Sequence, residues 1–224
     1  MKLQRLLLIF AMCLIAALSM GQGQRRGGMF RNGQMGFPAS LLNRSDVKND
    51  LNLTADQKSK LDDINQNYMP QYREIFQNAN GDFEAANKQR MELSQKQYAE
   101  ELKVLTSDET GRLTQISIQL WSFGALLNKD LQTQLGLSDT QKSKIDDLNK
   151  QMQDANAAVM QKIRSQEINF QDAGPIFQKN TEALKSSIGD VLTADQKTKY
   201  TGMGGKTFTP DPENAPGGGG GGGR

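Results

Sequence analysis

Apolar residues recur at helical spacing along two long stretches of the chain, with polar positions between them. The first stretch runs from Leu61 to Phe76 and the second from Ile145 to Ile163. Spacings of three and four residues place apolar side chains on one face of a helix. Each stretch therefore predicts a long amphipathic helix with one buried stripe, formed by Leu61, Ile64, Tyr68, Tyr72, Ile75 and Phe76 in the first and by Ile145, Leu148, Met152, Val159 and Ile163 in the second.

A second helical pattern follows each of these helices. Asn80-Gly81-Asp82 predicts a stop and a new N-cap before a helix from about Phe83 to Leu105. In the later stretch, a loop near residues 172–175 precedes a helix that carries the apolar residues of 176–191. The pattern after Thr106 continues to Leu131 without a strong breaker, which predicts one long connecting helix.

No part of the chain alternates between apolar and polar residues as a half-buried strand does. The sequence therefore predicts an all-α fold of long amphipathic helices. Pro70 lies inside the first long helix and is expected to bend it.

A short phrase, Leu-Thr-x-x-Gln, recurs along the chain. Ser or Thr followed three residues later by Gln or Glu is a capping box, in which the two side chains satisfy unpaired backbone N–H groups at the start of a helix. Each copy therefore predicts a helix start. The phrase residues are Leu53, Thr54 and Gln57; Leu105, Thr106 and Glu109; Leu137, Ser138 and Gln141; and Leu192, Thr193 and Gln196.

The order of these phrases indicates a tandem duplication. Residues 51–65 match residues 135–149 at a spacing of 84, and Val104-Leu105-Thr106 returns 87 positions later as Val191-Leu192-Thr193. The difference of three residues predicts a small insertion in a loop, which costs little free energy. Two helical-hairpin units are predicted, and the boundaries are repeat 1 at 41–116, a connecting helix at 117–125 and repeat 2 at 126–203.

Both ends of the chain differ from this helical body. Basic residues, an apolar run and small residues in 1–21 have the layout of a secretory signal peptide. A membrane anchor is the alternative interpretation, but the apolar run is shorter than the roughly 20 residues that a spanning helix needs. Residues 22–40 and 204–224 are rich in glycine, and both segments are predicted to be disordered.

Charge and composition exclude several classes of function. The chain has 27 Lys and Arg against 25 Asp and Glu, and removal of the leader would take Lys2 and Arg5 and leave equal numbers. A neutral chain gives no support for binding nucleic acid or an anionic membrane. There is no histidine, and the only cysteine, Cys13, lies in the leader. No catalytic residue, metal site or cofactor is predicted, because no nucleophile–base motif or phosphate-binding loop is present.

The stretch Leu53-Thr54-x-x-Gln57, with Val104-Leu105-Thr106 about 50 residues later, resembles the LTxxQ (Spy/CpxP-like) family of bacterial periplasmic proteins. The resemblance implies a periplasmic protein that acts as an ATP-independent chaperone, a stress-signalling regulator or a metal-responsive protein. Family members form curved helical cradles, often as antiparallel dimers. Two units in one chain would form an internal pseudo-dimer or a homodimer. Metal-responsive members rely on histidine, which this chain lacks.

The leading hypothesis is an exported protein that holds unfolded or partly folded exported proteins on a helical surface. Met and Tyr side chains adapt to varied contacts, and the candidate client-binding residues are Tyr68, Met69, Tyr72, Phe76, Met152 and Met160. The alternative is that these residues form the interface between helices. A regulator that contacts a membrane sensor protein, and a structural envelope-associated protein, are the other classes considered.

Adjacent acidic residues also recur in both repeats, at Asp62-Asp63 and Asp146-Asp147. Carboxylates are suitable ligands for a hard cation. Neighbouring residues on a helix point about 100° apart, however, and their carboxylates do not converge. A solvated helix face is therefore the favoured interpretation.

Overall fold

The computed structural model describes residues 35–78 and 83–211, and every regular element within these ranges is helical. The predicted all-α class is therefore confirmed. One order of elements occurs twice: a 3-10 turn, a short helix, two long helices and a further helix. None of the described helices is long and apolar enough to cross a bilayer. In chain order the elements are a 3-10 turn at Pro38–Asn43, α1 (Ser45–Asp50), α2 (Ala55–Gln77), α3 (Phe83–Leu102), α4 (Ser107–Trp121), a 3-10 turn at Ser122–Leu127, α5 (Lys129–Leu135), α6 (Asp139–Arg164), α7 (Phe170–Val191) and α8 (Ala194–Gly202).

Helices α2 and α3 pack against each other and run in opposite directions, and we call this pair the first hairpin. The Tyr68 hydroxyl donates to Glu100 Oε1 at 2.9 Å. One turn further along α2, the Tyr72 hydroxyl lies 3.0 Å from Ser94 Oγ, which is earlier in α3. Helix α2 continues through Pro70.

Helices α6 and α7 form the second hairpin, which has the same antiparallel arrangement. At one end, Gln141 Nε2 donates to the Val191 carbonyl at 2.9 Å. Further along, Asn180 Nδ2 donates to Asn156 Oδ1 at 2.8 Å. The partners of successive α6 residues therefore move backwards along α7.

The loop between α6 and α7 lies earlier than predicted. The sequence pattern placed it near 172–175, whereas α6 ends at Arg164 and α7 begins at Phe170. The prediction was wrong because Asn169 caps α7. Its side chain accepts two backbone N–H groups of the first turn, at 2.8 and 2.9 Å, so the helix starts before the Gly-Pro pair.

The predicted connecting helix across 117–125 is also wrong. Helix α4 ends at Trp121, where Ser122 adopts φ 50° and ψ −141° and a 3-10 turn follows. The Tyr200 hydroxyl donates to the freed Ser122 carbonyl at 2.6 Å. The turn buries Leu126 completely. Burial of a leucine contributes about 1.5–3 kcal/mol, and Gly124 within the turn would cost a continuing helix about 1 kcal/mol relative to alanine.

One hydrophobic cluster draws residues from both hairpins and from the elements between them. Leu61 of the first hairpin and Ile145 and Leu184 of the second are at most 2% exposed, as is Trp121 of α4. The two halves of the sequence therefore share one core.

The Gly-rich segments at 22–40 and 204–224 were predicted to be disordered, but they are ordered where they border the helices. Residues 35–40 contain a turn and the start of the first 3-10 turn, and residues 204–211 pack on α4. The prediction was wrong for 204–211 because Phe208, which is 7% exposed, joins the core, and wrong for 35–40 because Ala39, which is 1% exposed, joins it as well. Residues 1–34, 79–82 and 212–224, and with them the predicted leader and the rest of both tails, lie outside the described ranges.

Side chains of the helical body hold the backbone of the C-terminal segment. Gln119 Nε2 donates to the carbonyls of Gly204 (2.6 Å) and Lys206 (2.8 Å), and Gln119 Oε1 accepts the Phe208 backbone N–H at 2.7 Å. The Arg44 guanidinium lies 5.9 Å from the centre of the Phe208 ring. These contacts attach the segment that follows α8 to α4 and to the start of the first half.

Candidate functional site

All four Leu-Thr-x-x-Gln phrases form capping boxes. In the box at the start of α6, the Gln141 backbone N–H donates to Ser138 Oγ at 3.3 Å, and Gln141 Oε1 accepts the Ser138 backbone N–H at 3.0 Å. The same two bonds occur at Thr54–Gln57, Thr106–Glu109 and Thr193–Gln196. The polar residues of the phrase are therefore used at the helix starts.

The two boxes of each half also bond to each other. In the first hairpin, Gln57 Nε2 donates to Glu109 Oε2 at 2.7 Å and to the Val104 carbonyl at 3.1 Å. One side chain thus caps α2 and joins it to the segment after α3 and to the first turn of α4. Burial acts to raise the pKa of Glu109, but hydrogen bonds from the Thr106 backbone N–H and the Gln57 amide outweigh it and hold the pKa below its usual value.

The second hairpin repeats this pairing with two glutamines. Gln141 Nε2 donates to Gln196 Oε1 at 2.7 Å, and Gln196 Nε2 lies 3.1 Å from Gln141 Oε1. Gln196 Nε2 also lies 3.3 Å from the Gly136 carbonyl. Sequence reasoning identified the caps and missed the pairing. The signal available was that each half carries one box before its hairpin and one after it.

The leucines of the phrase are packed inside. Leu53, Leu137 and Leu192 are 4–6% exposed, and Leu105 is half-buried against the core. In the folded protein, the amides of the phrase are therefore mostly hydrogen-bonded and its leucines are mostly buried. Its arrangement is suited to holding helix ends together and leaves little free chemistry for a ligand.

Two of the six client-binding candidates lie in the interface of the first hairpin. Tyr68 is 8% exposed and is bonded to Glu100. Tyr72 is half-buried, and its hydroxyl donates to Gln97 Oε1 at 2.8 Å. The alternative interpretation, that these residues join the helices, matches their positions, and Tyr68 is not available to a partner while the hairpin is closed.

The other candidates differ in exposure. Met69 is 53% exposed, Met160 is half-buried, and Met152 is half-buried against the core. Phe76 lies within α2, and its side chain is outside the description. Two further exposed apolar residues are Phe170 (53%) and Ile176 (37%). Sequence reasoning did not select them, because Phe170 precedes the loop predicted near 172–175 and Ile176 belongs to a helix pattern predicted to be buried.

The interface of the first hairpin contains a polar cluster. Gln97 Nε2 donates to Asn65 Oδ1 at 2.8 Å and to Glu101 Oε1 at 2.7 Å. Glu101 is 1% exposed, and its Oε2 atom has no hydrogen-bond partner. Burial raises the pKa of Glu101 to about 7, against the smaller opposing effects of the Gln97 hydrogen bond and the Lys48 charge. Burial also raises the pKa of Tyr68 to about 12, with a further contribution from Glu100.

Open grooves of moderate size lie on the surface. One, of about 310 Å³, lies between α2 and α3 and is lined by polar residues such as Gln71 and Glu92. Another, of about 550 Å³, runs beside α4, where Ile118 and Met203 are flanked by threonines. Within residues 35–78 and 83–211, no three acidic, histidine or cysteine side chains are grouped to hold a metal ion.

Comparisons of the chain with family models, with curated proteins and with solved structures find no match. The function of this protein is therefore inferred from its own residues and geometry. Two features of the hairpins bear on function, namely their exposed apolar side chains and the polar cluster inside the first hairpin.

Proposed function

We propose that this protein is an exported, ATP-independent chaperone-like protein that binds unfolded or stress-exposed proteins on its helical hairpins. In this proposal residues 1–21 direct export, and the protein acts in the periplasm. Residues 41–116 and 126–203 are two tandem units similar to those of the LTxxQ family. The two units are connected through the end of α4 and the 3-10 turn that follows it.

The repeated order of elements supports the tandem arrangement. Each half has a 3-10 turn, a short helix and a hairpin with a capping box at either end. In each half, the glutamine of the first box bonds both the second box and a backbone carbonyl beside it. The order of the elements and the bonding of this glutamine thus both recur at equivalent positions of the two sequence repeats.

The observation that carries the functional proposal is the location of the exposed apolar side chains. Among the described residues, the large apolar side chains with the greatest exposure are Met69 on α2 and Phe170 and Ile176 on α7. All three belong to the hairpins and lie away from the paired boxes. A protein that holds varied unfolded segments needs adaptable apolar contacts beside polar groups, and Met and Phe side chains provide them.

The proposal is tested by the suppression of aggregation. Protein lacking residues 1–21 is mixed with a reduced, unfolded protein such as α-lactalbumin, without nucleotide, and light scattering is followed with time. We expect scattering to fall as the chaperone approaches an equimolar amount. Undiminished scattering at equimolar protein would refute the proposed function.

Variants then test the surface. Combined Met69→Ser, Phe170→Ser and Ile176→Ser substitutions are expected to weaken the suppression while circular dichroism remains that of the parent. A matched control with Gln66→Ser and Gln178→Ser, both at exposed polar positions of the same two hairpins, should keep full suppression. Equal suppression by the triple variant and the control would show that these side chains are not the contact surface.

A further inference from the structure

The two hairpins have the same geometry but interfaces of opposite character. In α3, Gln97 and Glu101 are 5% and 1% exposed and face α2. The residues 87 positions later, at the same spacing from the second capping box, are Leu184 and Ile188, which are 2% and 0% exposed. The first hairpin therefore encloses an ionisable carboxyl group where the second encloses an aliphatic side chain.

The surroundings of Glu101 give its ionised form little compensation. Only Oε1 is hydrogen-bonded, by the uncharged Gln97 amide, and Oε2 is buried without a partner. A buried carboxylate with one neutral donor has lost most of its hydration without replacing it. The cation whose charge acts on Glu101, Lys48 of α1, also forms an ion pair of 3.2 Å with Asp62 of α2.

The remaining groups around Glu101 also fail to favour its negative charge. Tyrosines from both helices of the hairpin interact electrostatically with it, and Glu100 adds a second acidic group next to it on α3. The 3-10 turn that packs on α3 has no ionisable side chain. The titratable groups that interact electrostatically with Glu101 are Lys48 from α1, Tyr68 and Tyr72 from α2, and Tyr98 from α3. The two further carboxylates nearby are bonded to these groups, Asp62 to Lys48 and Glu100 to Tyr68.

We propose that the first hairpin is a pH-sensitive element of the protein, closed while the Glu101 carboxyl group is protonated and prone to local unfolding once that group is ionised. The second hairpin, with Ile188 at the equivalent position, does not respond. As the pH rises from mildly acidic to neutral, the local stability of the first hairpin therefore falls, whereas that of the second hairpin does not change.

The direction follows from proton linkage. The pKa of Glu101 is about 7 in the folded hairpin and near 4.5 when unfolded. Between these two values the folded state retains a proton that the unfolded state has lost. The stabilising contribution of the protonated carboxyl group is complete below pH 4.5 and is lost as pH rises through 7. Between pH 5 and pH 8, the equilibrium constant for opening is expected to rise on the order of 10- to 100-fold.

Hydrogen exchange followed by mass spectrometry measures the local opening of each hairpin in the purified protein. Exchange rates of peptides from residues 86–102 and 173–191 are recorded from pH 5 to pH 8 and corrected for intrinsic exchange, so that the second hairpin is an internal control. We expect protection of α3 to fall 10- to 100-fold while protection of α7 is unchanged. Constant protection of α3, or a parallel loss in α7, would overturn the proposal.

Two variants and one direct measurement isolate the group responsible. Glu101→Gln should remove the pH dependence of α3, whereas Glu92→Gln, at an exposed carboxylate of the same helix, should leave it in place. The Glu101 carboxyl resonance of the unmodified protein should titrate near pH 7, which requires no variant to fold. A midpoint near 4.5, or pH dependence retained in Glu101→Gln, would contradict the assignment. None of these measurements involves a client protein, so they remain informative if the proposed chaperone function fails.

Discussion

The shared end of α6 and α7 depends on one side-chain amide, that of Gln141. Its Oε1 atom accepts the Ser138 backbone N–H at 3.0 Å, and its Nε2 atom donates to the Val191 carbonyl at 2.9 Å. It also exchanges bonds with the Gln196 amide. The substitution Gln141→Ala removes all of these interactions and leaves the Ser138 hydroxyl bond to the backbone intact.

The expected loss can be worked out from these contacts. A typical intramolecular hydrogen bond contributes about 0.5–1.5 kcal/mol net, and three groups lose their partner. Gln141 is half-buried, so water replaces part of what is lost, and alanine regains a few tenths of a kcal/mol in helix propensity. We therefore expect the free energy of unfolding to fall by about 2–3 kcal/mol, with each hydrogen bond contributing near the middle of its range.

Urea denaturation provides the measurement. The chain has a single tryptophan, Trp121, which is 2% exposed within the core that both hairpins share. Its fluorescence and the circular dichroism of the helices should report one transition in the parent protein. The control is Gln151→Ala, at an exposed position of the same helix, which should change stability by less than about 0.5 kcal/mol. A Gln141→Ala protein as stable as this control would refute the role given to the paired boxes.

Three further predictions concern other contacts of the fold. Because the folded pKa of Glu109 lies below its usual value, the ionised side chain stabilises the protein above about pH 4.5, and this contribution is lost as pH falls below it. In urea titrations from pH 6 to pH 3, the free energy of unfolding should decline less steeply for Glu109→Gln than for the parent. Identical slopes would contradict this prediction. Tyr200→Phe keeps the aromatic ring but removes the bond to the Ser122 carbonyl, so a loss of about 0.5–1.5 kcal/mol is expected in denaturation experiments, and an unchanged midpoint would count against it. Phe208→Ala should cost about 3 kcal/mol and speed limited proteolysis within residues 204–211, whereas unaltered cleavage would show that this contact does not hold the segment.

The features that the sequence predicted best are local ones. A capping box needs only a hydroxyl and an amide three residues apart, so Ser138 and Gln141 identify a helix start without any knowledge of the fold. The apolar stripe of α6 is local in the same sense, and Ile145 is fully buried as expected. The all-α class follows from such periodicities alone.

The features that sequence reasoning missed depend on distant partners. Ser122 interrupts a pattern of apolar residues at helical spacing, because the Tyr200 hydroxyl and the burial of Leu126 stabilise the turn. Phe208 was assigned to a disordered tail because its burial depends on α4 and Arg44. These partners are separated by many tens of residues, so no local window contains the interaction.

For the candidate site too, residue type could be read from the sequence, whereas exposure depends on the packing of the helices. Met69 could be selected from its residue type, but its exposure, and the burial of Tyr68 one position earlier, follow from how α3 packs on α2. The ionisable character of Glu101 was visible in the sequence, yet only the interface deprives it of water.

By itself, the sequence determined the four helix starts marked by capping boxes and the apolar stripes of the long helices, because these properties depend on residues within a few positions of each other. The sequence repeat was also visible without the fold. The tertiary structure decided where the chain breaks between the halves, which tail residues join the core, and which hairpin encloses a carboxyl group. The physical reason is that burial is a property of the assembled fold. The free energy of a side chain such as Leu126 or Glu101 depends on what removes it from water, and those groups come from distant parts of the chain.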